Sequence, residues 1–484
     1  MRPFIAALLL LAACVPAEPP AASSAAPAPG APGATAFRQV SDQRLSALPV
    51  TADTASWGVA RRMIRAGQAP AREAVRPDEF LQAFGWSYPE GLARPFVSLV
   101  PAPWDANRRL LQVGIRTPDG PTARPPLNLV FLVDTSASMA PADRLPVIQG
   151  AIRALLPTLT ERDRISILTY GAGSRTLLDA MRGDRRLFIE TALDDLRPGG
   201  NVQGASAITA AYALAAKNLS PGAISRVILA GDGDLELGAT GSLEALIRAQ
   251  RDRGIQFTSL GVGLDNVGDG RIRALTRAGN GRHAHAANEA DAMRFLQEEF
   301  RLNLTPVASE VTVEIEFNSL RLSAWRLIGT DGGGGPPAPV ALGTGRSFTA
   351  IYELTSTDNF STALDPRGYG RDNPSAPGEA DGTQYATIRI RHRPPGGGGG
   401  EEQVIQRRVG ERDAARSFGA APADARIGAA EAGFALRLRR GEGVAWPMTA
   451  IAETAQAAIG ENPGGQRPDF VAVVRAGAGL GAFR

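Results

Sequence analysis

The sequence predicts an α/β protein built around a doubly wound, six-stranded domain inserted in a β-sandwich, with a helical N-terminal cap and a helical C-terminal tail. Three observations predict it. Short apolar runs alternate with amphipathic ones between residues 127 and 304, period-two alternation marks the segments on either side, and Ala-rich runs with helical spacing occupy both ends. With 484 residues, 44% of them apolar and 21% charged, the chain can bury two or three cores.

Residues 1–14 read as an export signal. Arg2 supplies the positive end, Phe4 to Leu11 the apolar middle, and Leu11-Ala12-Ala13-Cys14 the small residues before a cysteine. The run is too short for a permanent transmembrane helix, and its end resembles a bacterial lipobox. On that reading Cys14 carries acyl chains and anchors the chain in a membrane. Cys14 is the only cysteine, so no internal disulfide can form. Residues 15–36, almost wholly Ala, Pro, Ser and Gly, read as a tether. Val15 stands where Asp marks inner-membrane retention in enteric-type lipoproteins, which directs the expectation to the outer membrane, facing the periplasm.

Residues 37–93 form the cap, with helices expected over 56–67 and 77–84. The sandwich is drawn from 94–126 and 305–410, with strands expected at 96–100, 110–116, 310–317, 320–327, 348–354, 385–391 and 403–409. Val311, Val313, Ile315 and Phe317 alternate there with Thr312, Glu314 and Glu316. Two glycine runs, 331–335 and 393–400, read as loops. The inserted domain spans 127–304, with strands expected at 127–134, 164–170, 175–179, 226–231, 256–262 and 282–286. Leu145, Ile148, Ile152 and Leu155 recur at helical spacing until Pro157. Ser242 is the expected N-cap of a helix carrying Leu243, Leu246 and Ile247, which Gly254 closes. Residues 411–484 make the tail, with helices expected at 423–439, 446–458 and 467–476.

The first expected strand of the inserted domain ends in Asp134-Thr135-Ser136-Ala137-Ser138. One carboxylate and two hydroxyls, each two residues apart, can present three hard oxygen ligands at the edge of an open sheet, where such folds bind ligands. This points to metal-assisted binding. Residues 127–304 resemble a von Willebrand factor type A domain in strand order, in that motif, and in a second loop at Gly231-Asp232-Gly233. The resemblance implies a divalent cation, Mg²⁺ or Mn²⁺, held directly by Ser136 and Ser138, with Asp134 and Asp232 often acting through water and a partner's carboxylate completing the shell. It also implies a threonine in a middle loop. Here that loop reads Pro198-Gly199-Gly200-Asn201-Val202-Gln203-Gly204, and Val202 takes the threonine's place. A methyl group cannot ligate a cation, which leaves Asn201, Gln203 or water to substitute, or a binding surface that has lost its metal.

A wider resemblance covers nearly the whole chain after the tether. Thr51-Ala52-Asp53-Thr54-Ala55-Ser56-Trp57, Arg61-Arg62, Gly67 and Val75-Arg76-Pro77-Asp78-Glu79 are similar to the cap of a family of bacterial type A domain envelope lipoproteins. Phe434-Ala435-Leu436-Arg437-Leu438-Arg439 and Phe470-Val471-Ala472-Val473-Val474 are similar to its C-terminal region. That family usually has Asp at position 51, so Thr51 lacks a carboxylate able to bind an ion.

Other chemistry finds fewer players. His283 and His285 share a strand face at zinc-like spacing but lack an evident third ligand, and His392 reads as a solvated strand end. Gly231-Asp232-Gly233-Asp234-Leu235-Glu236 is acidic without the spacing of a calcium loop, and Gly261-Val262-Gly263 lacks the third glycine of a nucleotide fingerprint. No nucleophile elbow, phosphate-binding Gly-Lys-Ser/Thr loop or cysteine nucleophile occurs. A net charge of +3, scattered over arginines with Lys217 the sole lysine, does not point to nucleic acid. The expectation is a non-enzymatic envelope lipoprotein that binds a protein partner. A metal-independent scaffold is the first alternative and a hydrolytic enzyme the second.

Overall fold

The computed structural model describes residues 36–484 apart from 121–123, 172–173, 201–203, 234–239, 264–269, 303–305, 330–338, 358–382, 396–399, 440–443 and 482–484. Cys14, residues 15–35 of the tether, the glycine run 331–335 and the loop positions Asn201, Val202 and Gln203 lie outside the described residues, as do Asp234 and Glu236.

The chain opens with strands β1 (Arg38–Gln39) and β2 (Leu45–Leu48) and helices α1 (Ala55–Arg65) and α2 (Pro77–Leu81), then β3 (Phe96–Ala102) and β4 (Asp105–Arg116). The inserted domain follows: β5 (Leu127–Asp134), α3 (Leu145–Leu155), β6 (Arg164–Tyr170), β7 (Arg175–Arg182), α4 (Arg186–Asp194), α5 (Gly204–Lys217), β8 (Ile224–Gly231), α6 (Thr240–Asp252), β9 (Ile255–Gly261), α7 (Gly270–Ala278), β10 (His283–His285) and α8 (Glu289–Leu302). The chain then returns through β11 (Pro306–Phe317), β12 (Leu322–Leu327), β13 (Val340–Gly343), β14 (Ser347–Ser356), β15 (Gln384–Arg393) and β16 (Gln403–Gly410). It finishes with α9 (Ala423–Arg439), α10 (Met448–Ala457) and α11 (Arg467–Gly479).

The inserted domain's sheet has the order β10-β9-β8-β5-β6-β7, parallel except for β7, which runs antiparallel to β6. All eight residues of β5 are buried because the strand is central and covered on both faces. Ile148, Ile152, Ile189, Leu193, Phe295 and Leu296 bring α3, α4 and α8 to one face. Ile208, Tyr212, Ile247 and Leu275 bring α5, α6 and α7 to the other. Ser242 is not an N-cap: α6 already begins at Thr240. Gly254 does end that helix, at φ +91°, with its N–H donating to the Arg251 carbonyl.

Both flanks of the insertion build one sandwich. One sheet runs β1-β12-β14-β4-β3 and the other β13-β11-β15-β16, with β2 also paired to β11. Val311, Val313, Ile315 and Phe317 all point into the shared core, where Phe317 stacks on Trp325 at 5.0 Å between ring centres. The cap is thus not purely helical. Its described residues up to Leu48 add β1 to one sheet and β2 to the other, through Arg38 opposite Trp325 and Leu48 opposite Val313.

Cap and tail share a core. Trp57 of α1 packs on Phe84 at 5.0 Å, Phe84 on Phe470 of α11 at 5.3 Å, and Phe470 on Phe434 of α9 at 5.7 Å. This helical layer covers the outer face of the first sheet through Val100, Leu110 and Ile351. The first sheet is therefore buried on both sides. Among the described residues no helix is long and apolar enough to cross a membrane.

Candidate functional site

In the six-stranded sheet, chain order reverses between β5 and β8: the chain leaves β5 for β6 on one side and later enters β8 on the other. Their C-terminal ends flank the crevice where open α/β sheets place ligands. Asp134 is the last residue of β5, and Asp232 follows β8 directly. The fold thus brings together the two motifs that the sequence places almost a hundred residues apart.

Beyond Asp134 the chain turns sharply. The Ser136 N–H donates to Asp134 Oδ1 at 2.8 Å, and the Thr135 N–H donates to the Tyr170 carbonyl at 2.8 Å. That turn points both serines the same way, with Ser136 Oγ and Ser138 Oγ 2.9 Å apart in a mutual hydrogen bond. Two oxygens holding one Mg²⁺ in adjacent octahedral positions, at about 2.0–2.1 Å each, lie about 2.9 Å apart. The hydroxyl pair therefore has the spacing a small hard cation needs.

Asp134 is fully buried, and its Oδ2 has no hydrogen bond of good geometry among the described residues. Burial pushes its carboxyl up to about 6; hydrogen bonds from Ser136 oppose the rise, the charge of Asp232 adds to it, and the nearby Tyr170 hydroxyl offsets a part. A buried carboxylate lacking full compensation is a donor set that a divalent ion would satisfy. The residues present fit such an ion.

Arg144, which sequence reasoning missed, also reaches the notch. Its Nη1 donates to Asp232 Oδ2 at 2.7 Å and to the Ser138 carbonyl at 2.8 Å, with only 9% of the residue exposed. One local signal marks it: Arg144 occupies the N-cap of α3, where Ser, Thr, Asp or Asn is favoured and a positive charge opposes the helix dipole.

The expected histidines bond to groups outside the Asp134–Ser138 turn. His283 Nδ1 and Ser259 Oγ are 2.8 Å apart, and His285 Nε2 donates to the Gly263 carbonyl at 2.5 Å. His392, in β15, is half-buried. The cap motif serves as a clasp. Asp53 Oδ1 accepts from the His283 N–H at 2.9 Å, Ser56 Oγ donates to the Ala74 carbonyl at 2.7 Å, and the Ser56 N–H donates to Glu79 Oε2 at 2.8 Å. At position 51 the threonine hydroxyl accepts from the Asp53 N–H at 3.3 Å.

A cleft of about 240 Å³ opens between α1, α8 and the tail, lined in part by Arg61, His285, Asp291 and Gln466. Its carboxylates are committed to guanidiniums: Asp291 to Arg61 and Arg294, Asp469 to Arg61 and Arg65, Glu298 to Arg282. The cleft reads as a polar seam between layers rather than an acid–base centre.

This architecture and its paired loops define a protein of the von Willebrand factor type A class, a domain type associated with protein interaction. Residues 128–299 match the family described as von Willebrand factor type A domain, 31–112 that described as von Willebrand factor, and 338–480 that described as Uncharacterized protein YfbK, C-terminal. Over 476 residues the chain is 31% identical to the Escherichia coli (strain K12) protein named Uncharacterized protein YfbK, covering 92% of this chain and 80% of that one. The chain belongs to the YfbK family of bacterial type A domain proteins. Similar solved structures include a von Willebrand factor type A protein from Catenulispora acidiphila (16% identity, TM-score 0.44, 81% of this chain and 91% of that one). Another is the ArnB paralog VWA2 from Sulfolobus acidocaldarius (13% identity, TM-score 0.40, 81% of this chain and 98% of that one).

Proposed function

We propose that this chain is an envelope lipoprotein, anchored through Cys14 at the outer membrane and facing the periplasm, whose type A domain captures an acidic side chain of a protein partner through Mg²⁺ or Mn²⁺. The observation that carries the reading is the Ser136–Ser138 hydroxyl pair, 2.9 Å apart, over a buried Asp134 at the switch point of the sheet. Ser136 and Ser138 would hold the ion and Asp134 would supply charge beneath it. The ion would supply a site for an anionic oxygen from outside.

Capture from envelope extract, with and without chelator, tests this reading. A partner retained by the wild type and lost both with chelator and in Ser136→Ala/Ser138→Ala is the expected outcome. Retention that ignores chelator and both serines would defeat it.

A metal-independent scaffold is the second reading, and the Arg144–Asp232 ion pair is what favours it, because it already neutralises one carboxylate of the notch. Titration calorimetry separates the two. The absence of heat and thermal shift at millimolar Mg²⁺ or Mn²⁺ leaves the scaffold, while Val202→Thr gaining a response that the wild type lacks would locate the loss in the middle loop.

A further inference from the structure

Arg144 is held from several sides. Its Nη1 bridges the Ser138 carbonyl and Asp232 Oδ2 at 2.8 and 2.7 Å. Gly263, at φ +79°, lies against it: a Cβ there would come within 2.9 Å of Arg144 Nε, so the glycine leaves the guanidinium its space. The Gly263 carbonyl is in turn pinned by His285 Nε2 at 2.5 Å. The neighbouring Asp143 pairs with Arg62 of α1, so the cap braces the same loop.

The charges then compete. Asp134 and Asp232 bring two negative charges to the notch, and Arg144 returns one positive charge on the carboxylate across from the serines. Because one Arg144 nitrogen touches both the Ser138 carbonyl and Asp232, a cation at Ser138 would compete with the guanidinium for that carboxylate in a poorly solvated place where Coulomb terms are strong.

We infer that Arg144 is a resident counter-ion that sets the divalent-ion affinity of the notch, with uptake proceeding by exchange as Asp232 leaves the guanidinium for the ion. This rests on reading the notch as a divalent-ion site, and it assigns the affinity of that site to a residue outside its ligand set.

The test is Mn²⁺ binding to the full chain in detergent, read by titration calorimetry and by loss of the free Mn²⁺ paramagnetic signal. Arg144→Gln should bind Mn²⁺ about tenfold or more tightly than the wild type. Arg144→Met, which keeps the apolar stem, should do the same and serves where the glutamine variant fails to fold. Adding Ser136→Ala/Ser138→Ala to either should abolish the gain. Serine-dependent binding in the wild type with no tightening in a folded neutral variant overturns the role of Arg144 and leaves the site reading intact. No uptake by the wild type or the neutral variants at millimolar Mn²⁺ overturns both.

Discussion

Asp78, in the first turn of α2, shows how much a single buried carboxyl can do. Its Oδ1 is buried with no hydrogen-bond partner among the described residues, and burial, with the charge of Glu79 beside it, pushes its pKa up to about 7 despite the facing Arg277, Arg76 and Arg273. An acid whose folded-state pKa is raised favours the folded state while it is protonated. The contribution is fully present below about pH 4 and is lost as pH rises through about 7. Asp78→Asn should remove that loss, stabilising the protein at pH 8 by on the order of 3 kcal/mol with little change at pH 4. Urea unfolding of both proteins across this range checks it, and parallel pH profiles would refute it. Asp134 and Arg144 illustrate legibility at this scale. The Asp-x-Ser-x-Ser spacing announces itself because a strand end and a tight turn dictate where its oxygens go. Arg144 shows only as a residue that breaks a capping preference, since its partner lies 88 positions away.

Helix α1 is the element on which the assembly turns. It rests on the edge strand β10 so closely that a Cβ on Gly58 would sit 2.3 Å from the His285 carbonyl oxygen. Its other face carries Trp57 into the aromatic cluster with Phe84 and Phe470. Gly58→Ala should therefore lift α1 from β10, costing about 1–3 kcal/mol. Faster hydrogen exchange over Ala55–Arg65 and His283–His285 would accompany a lower Tm; unchanged exchange in both segments would count against this packing. Elements with many local cues were legible: β5 as an uninterrupted apolar run, β11 by its alternation, α3 by its spacing and its proline stop. β1 and β2 were not, because two and four residues carry no measurable period and their pairing with β12 and β11 is wholly long-range. The start of α6 differs from its local signal for a related reason: Ser242 is a good cap in isolation, yet the helix begins two residues earlier at Thr240.

The whole molecule is tied together by buried charge as well as by apolar contact. Glu299 of α8, 1% exposed, accepts from Arg226 of β8, from Arg346 at 2.6 Å and pairs with Arg282 at 2.9 Å. Arg346 belongs to the turn between β13 and β14, so one carboxylate joins the type A domain to the sandwich. Glu299→Ala should cost about 3–5 kcal/mol, because it strands buried guanidiniums. Removing the exposed Arg153–Asp194 pair should change stability by under about 1 kcal/mol. Comparable urea midpoints for the two variants would contradict the assignment. The described residues from 36 onward fold as one unit in which the cap and tail, some four hundred positions apart, share an aromatic core.

The sequence by itself determined the class of fold, the insertion of an α/β domain into a sandwich, the notch motif and the helical ends. The strands, the helices and the notch motif are encoded by periodicity or by spacing within a dozen residues, and the insertion by the same period-two pattern recurring on both sides of residues 127–304. Only the tertiary structure decided that the cap lends strands to both sheets, that cap and tail are one helical layer, and that a guanidinium stands against Asp232. Those contacts join residues far apart in the chain, and their energy comes from burial and charge pairing that exist only once the layers have closed.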